Sequence, residues 1–291
     1  MKVILKKKPL HESFDFNSDE DENFDVVIES YRYKKFLEEN YEITQQVIVR
    51  PYKEDGILFI DIDGDVLIKN RDLTSLTNGK FRFGKVRGSF DCKYCNDLTS
   101  LEGAPEWISG SFDCSYCYSL KTLKGAPIQV GWNFECYNCP SLISLEGAPK
   151  KVGGIFDCSH CESLSSLKGA PKEVKNFDCN HCESLTSLEG ASEKVGGDFY
   201  CHDCRSLTSL KGAPKEVGNV FGCFDCKSLT SLEGAPEKVG GNFYCSCCTS
   251  LTLLKGAPKE VGGSFYCDKC YSLKSTDLPT TTKISGTIYN K

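Results

Sequence analysis

The sequence predicts a repeat solenoid: one parallel β-strand per short coil, mostly β and irregular, with a small N-terminal cap of helix and hairpin. Three observations predict it. Eighteen of the 19 cysteines form nine Cys-x-x-Cys pairs. Successive pairs stand 22 residues apart, except for one step of 21 between Cys158 and Cys179. Between pairs the chain repeats Gly-Ala-Pro, once as Gly190-Ala191-Ser192. A fixed period of about 20 to 50 residues marks an array of stacked units and has to be read before any single motif.

In chain order, residues 1–56 form an acidic region with nine Lys and Arg against thirteen Asp and Glu. Seven of those acids and no base fall in residues 12–25, a pattern of solvated chain or of an acidic docking tail. Asp25 is placed to cap a helix over residues 26–40, with Ile28, Tyr31, Phe36 and Leu37 among its apolar positions. Residues 57–89 read as a hairpin turning at Asp63-Gly64, followed by a degenerate capping coil carrying Leu67, Asn70, Leu73 and Leu76. Asp61, Asp63 and Asp65 suggest a calcium loop, but Val66 stands where an EF-hand needs glycine and the flanks are strand-like. Residues 90–278 hold the nine repeats. Residues 279–291 form a terminal capping strand, in which Ile284 to Asn290 keep the repeat pattern without cysteine.

The repeat is nearly complete in residues 239–258: Val-Gly-Gly-x-Phe-x-Cys-x-x-Cys, then Ser-Leu-x-x-Leu-x-Gly-Ala-Pro. Phe243 and Cys245 alternate with Tyr244 as strand residues do, one face inward and one outward. Gly-Ala-Pro ends the regular element, because proline lacks a donor and restricts the residue before it. One such coil cannot bury its apolar face, but stacked coils can.

This pattern resembles the leucine-rich repeat family over about residues 60 to 290. Phe243 and Cys245 fall in strand leucine positions, Cys248 in the Asn/Cys position, and Leu251 and Leu254 in later core positions. Its wording is similar to short repeats of bacteriophage and bacterial proteins, where Asn often stands in place of the second Cys. The resemblance implies a concave strand face that binds a protein partner.

Charge supports stacking in register. The residue before Gly-Ala alternates through eight coils: Glu102, Lys124, Glu146, Lys168, Glu189, Lys211, Glu233 and Lys255. Stacked at about 4.8 Å, each would face an opposite charge. From Lys172 onward the pair after Gly-Ala-Pro alternates too, which gives a two-coil superperiod and fits duplication of a 44-residue unit.

The cysteines leave three readings: a structural thiol ladder, metal ions shared between coils, or disulfides. Cys-x2-Cys-x18-Cys-x2-Cys is zinc-ribbon spacing, and a zinc-type array is the main rival to the binding scaffold. Against it, Leu67 and Asn70 fill the two cysteine positions in the leading coil and Asn290 fills the first in the trailing one. Nine pairs also divide unevenly into four-ligand sites. A thioredoxin-like role fits poorly, since that Cys-x-x-Cys opens a helix. The remaining cysteine, Cys247, stands outside both columns.

The outward residue between Phe and Cys reads Asp91, Asp113, Glu135, Asp157 and Asp178, then Tyr200, Gly222, Tyr244 and Tyr266. Acids suit a basic partner and tyrosines suit binding hot spots. The residue before the second Cys adds Tyr94, Tyr116, His160 and His181 to the same face. These twelve acids, tyrosines and histidines are the expected partner-binding residues. A metal or acid-base site from His160, His181 and Asp178 is a further option.

Composition sets the outer limits. A net charge of -5 leaves no basic field for nucleic acid or membrane lipid, and no stretch approaches the length of a membrane span. Met1 to Leu5 run directly into Lys6, Lys7, Lys8 and Pro9, unlike a signal peptide, so the expected compartment is a reducing cytoplasm. No Ser-His-Asp set, phosphate loop or nucleotide fingerprint is present. The expectation is a monomeric, non-enzymatic protein-binding scaffold without a cofactor.

Overall fold

The computed structural model describes residues 39–43, 48–77, 79, 81–275 and 277–290. The acidic run over 12–25 and all but the last two residues of the expected helix lie outside them; Glu39 and Asn40 are helical.

The chain winds as a β-solenoid with two short strands per coil. In a typical coil these are Lys238–Val239 and Phe243–Tyr244. The Phe-bearing strands stack into a 12-stranded sheet that runs the length of the array. Phe pairs with Phe and the outward residue with its equivalent in the next coil, as in Phe112 with Phe134 and Asp113 with Glu135. The Val-bearing strands form two six-stranded sheets instead of one. The break falls between Lys151–Val152 and Glu173–Val174, at the 21-residue step. Elsewhere the residue after Val donates its amide to the Val carbonyl of the preceding coil, as Gly196 does to Val174. Here Lys175 donates to Gly154 instead. The missing glycine therefore interrupts one sheet and leaves the other intact.

The core is a set of columns. In each coil Val, Phe, both paired cysteines and two leucines point inward; Val239, Phe243, Cys245, Cys248 and Leu251 are fully buried, and Leu254 is nearly so. The nine phenylalanines from Phe90 to Phe265 stack with ring centroids 5.0 to 5.5 Å apart. Burying one such side chain stabilises by roughly 1.5–3 kcal/mol, so this column is a large part of what holds the coils together. Leu254-Lys255-Gly256-Ala257 is a type II turn: Gly256 has φ 86° and the Ala257 amide donates to Leu254 O at 3.0 Å. A Cβ at Gly256 would overlap the backbone of Glu233 in the coil below, so the turn needs glycine for both φ and space.

The N-terminal cap differs from expectation. Strands β3 (Ile57–Asp63) and β4 (Val66–Ile68) do not form a hairpin about Asp63-Gly64. They lie in separate sheets, as the two strands of a leading coil. The hairpin is made by β2 (Ile48–Glu54) with β3 and turns at Asp55-Gly56, both at positive φ, as a tight two-residue turn requires. Strand β1 (Tyr41–Ile43) covers the outer edge of β4, antiparallel to it. The buried Tyr41 hydroxyl donates to Leu76 O.

Two further expectations change here. Val66 pairs with Phe90 and Leu67 with Asp91, so Ile68, not Leu67, continues the first cysteine column. The acids at 61, 63 and 65 do not converge as a calcium loop would. Asp61 accepts from the Lys85 amide, Asp63 pairs with Arg87 and Asp65 accepts from the Ser89 amide, each bridging to the next coil.

The charge column forms as discrete pairs. Lys124 meets Glu102 at 2.9 Å, Lys168 meets Glu146 at 3.0 Å, Lys211 meets Glu189 at 2.6 Å and Lys255 meets Glu233 at 2.7 Å. Each lysine joins the coil before it, so the ion pairs follow the two-coil superperiod. Exposed pairs of this kind contribute ~0–1 kcal/mol each and mainly fix register.

Candidate functional site

Each paired cysteine occupies a corner of the coil. After the first Cys the strand ends, and the residue before the second Cys takes a left-handed conformation in all nine repeats, with φ between 54° and 61°. Non-glycine residues there are unusual, with Asn, Asp and His the most tolerant. Asn138, His160, His181, Asp203 and Asp225 occupy five of the nine positions. The sharp corner leaves the carbonyl of the first Cys without a strand partner, and the second Cys of the following coil supplies one. Cys117 Sγ donates to Cys92 O at 3.3 Å, Cys204 to Cys179 O at 3.2 Å and Cys248 to Cys223 O at 3.1 Å. Burial pushes thiols such as Cys136, Cys161 and Cys226 far above the ordinary range, which keeps them protonated and able to donate. Among the described residues, which include every cysteine, no three thiols bring their sulfur atoms within 4.8 Å of one another.

The acidic column stands on the outer face of the 12-stranded sheet, but it is half-buried and engaged. Asp91, Asp113, Asp157 and Asp178 each accept the backbone amide of the residue two places on, at 2.9 to 3.0 Å. Glu135 accepts instead from the Asn133 side chain at 3.2 Å. These carboxylates close the strand-to-corner bend. Desolvation, followed by the neighbouring Asp157 charge, pushes Asp178 up to about 7, although the Asn180 amide opposes it. Desolvation also raises Glu135 and Asp157.

The outward aromatic residues gather into three clusters spaced along the face, the first two at the corners beside this column and the third continuing the column itself. Tyr94 stacks on Tyr116 at 4.7 Å, and Tyr116 meets Tyr137 edge-on at 5.1 Å. In the middle His160 stacks on His181 at 4.3 Å, His181 meets His202 edge-on at 5.4 Å, and His202 stacks on Phe224 at 4.2 Å. Tyr200 meets His202 edge-on at 6.4 Å. At the far end Tyr244, Tyr266 and Tyr289 stack at 4.4 and 4.5 Å. Tyr137, Phe224 and Tyr289 are not among the residues that the sequence pattern picks out. The first two follow the first Cys of their coils, a column that the outward/inward alternation does not single out.

The structure assembles a different polar group from the one expected. Asp178 is turned to its own corner amide and is not part of the group. His181 Nε2 lies 3.7 Å from Asp203 Oδ2, and His202 Nδ1 lies 2.9 Å from the same oxygen. Burial lowers His202 and His160, favouring neutral rings. Burial also acts to raise Asp203, but hydrogen bonds from His202 and Asp225 outweigh it and hold the carboxyl below its usual value. Asp225, hydrogen-bonded to Asp203, is raised, first by desolvation and then by that neighbour.

Comparison with known proteins finds no matching family model, no matching curated protein and no matching solved structure. Among the described residues no helix is long and apolar enough to cross a membrane.

Proposed function

We propose that this chain is a non-catalytic interaction scaffold of leucine-rich-repeat type that binds a protein partner on the outer face of its 12-stranded sheet. The observation that carries this reading is the succession of three aromatic clusters along that face. Tyrosine offers a large amphipathic surface at low entropic cost, and stacked rings are already ordered before a partner arrives. Tyr94, with 44% of its surface exposed, and Tyr289, with 46%, leave substantial ring area open toward opposite ends of the array. The acids tune the face without forming its contacts: Lys93 and Arg71 offset part of the charge of Asp91 and Asp113, and the acidic excess that remains favours a basic partner. The scaffold acts as a monomer in the cytoplasm and needs no cofactor.

Affinity capture with the purified chain and a variant in which Tyr116→Asn and Tyr266→Ser are combined tests this reading. Asn138 already occupies the Tyr116 column, so the change suits the corner. One protein retained by the parent chain and lost by the variant is the expected result. Equal capture of that protein by both chains overturns the face assignment.

A further inference from the structure

We infer that His181, His202 and Asp203 form a binding site for one first-row divalent transition metal, seated between two adjacent coils. Among the described residues they are a set of three metal-ligating side chains whose donor atoms all lie within 4.8 Å of one another. The spacing suits a shared ion. Bonds of about 2.0–2.2 Å to nitrogen and oxygen, in tetrahedral arrangement, place ligand atoms roughly 3.3–3.5 Å apart. The two separations from Asp203 Oδ2, 2.9 Å and 3.7 Å, fall on either side of that value. His202 would ligate through Nδ1, the nitrogen already facing the carboxylate, and His181 through Nε2.

The donor set selects the class of ion. Two imidazoles and one carboxylate suit zinc, cobalt, nickel or copper, and not calcium or magnesium, which take oxygen ligands. All three residues are half-buried, so one side of the site is walled by the sheet and the other stays open to water or to a partner's side chain. The corner geometry explains how the set arose. His181 and Asp203 occupy the same left-handed position in successive coils, and His202 adjoins it. Each of those positions accepts another residue elsewhere in the array, so the fold does not depend on this combination. Asn stands at position 138 in the first column and Phe at position 224 in the second.

Equilibrium dialysis of the full chain against cobalt(II) or zinc(II), read by elemental analysis and by the cobalt absorption spectrum, tests the site. The variants are His181→Asn, Asp203→Asn and His202→Phe, each introducing a residue type that the array already carries at an equivalent position; circular dichroism checks their fold. The expected result is one metal per chain, a cobalt spectrum without thiolate-to-metal charge transfer, and an affinity at least about 10-fold weaker in each variant. Absence of stoichiometric binding overturns the site. So does binding that the three variants leave unchanged, or a cobalt spectrum with thiolate bands, which assigns the ion to the cysteine columns.

Discussion

The thiol of Cys161 donates to the main-chain oxygen of Cys136, 25 residues earlier and 3.3 Å away. The contact joins the corner of one coil to the strand end of the coil before it, and it repeats along the array. It gives the second cysteine column a task that any small buried donor of the right length can perform. Cys161→Ala removes the donor, strands a buried carbonyl and leaves a small void, at an expected cost of about 1–3 kcal/mol. Cys161→Ser keeps a donor and is expected to lose less. Urea unfolding monitored by circular dichroism reads the difference, and equal losses for the two variants would show that the bond contributes nothing.

The same burial governs thiol chemistry. Eighteen cysteines are buried, and Cys247, at the left-handed corner of its coil, is the half-exposed exception. A thiol reagent is expected to label about one site per folded chain, at Cys247, and all 19 thiols once the chain is unfolded without reductant. Mass spectrometry of labelled peptides gives both counts. Fewer than 19 in the unfolded, unreduced chain would reveal disulfides between coils.

The stacked acids make stability fall as pH rises. Asp178 is pushed up to about 7 in the folded chain, mainly by desolvation, against an unfolded value of about 3.9. Between these values the folded state binds more protons than the unfolded state, so stability is greatest below about pH 4 for this group. It is lost as pH climbs through 7. Asp178→Asn retains an oxygen for the Asn180 amide and removes the charge. It is expected to raise Tm by about 2 °C at pH 8, on the order of 1 kcal/mol after allowing for solvent screening, and to change little at pH 4. Scanning calorimetry at the two pH values checks the sign; a lower Tm at pH 8 would contradict it.

What the residues disclose in advance follows from the range of the interactions involved. Period, inward columns and the alternation from Glu102 to Lys255 are written as equivalent positions 22 residues apart, so counting exposes them. The cap is harder. Asp55-Gly56 and Asp63-Gly64 are both sound turn signals, and only the pairing of Ile57–Asp63 with the coil after it decides which one closes a hairpin. The polar cluster is harder still. His160, His181 and Asp178 share a neighbourhood in sequence, but Asp178 turns to Asn180 while Asp203 reaches back to His181. The left-handed corner makes that choice, and its mixture of Tyr, Asn, His, Asp, Cys and Lys carries no glycine to announce it.

The lysine-to-glutamate pairs bear on inheritance. Each joins an odd-numbered coil to the even one after it, so the smallest piece that can be copied or lost without consequence is two coils, 44 residues. Losing a single coil, such as the one bearing Glu146, would bring Lys124 against Lys168. A lineage carrying this gene can therefore vary the length of its solenoid in steps of two coils at little cost, while single-coil changes leave a seam of like charge. Tandem copies prone to recombination would be filtered by parity, and the present array, four consecutive Glu-Lys pairs long, has the form that such a filter leaves.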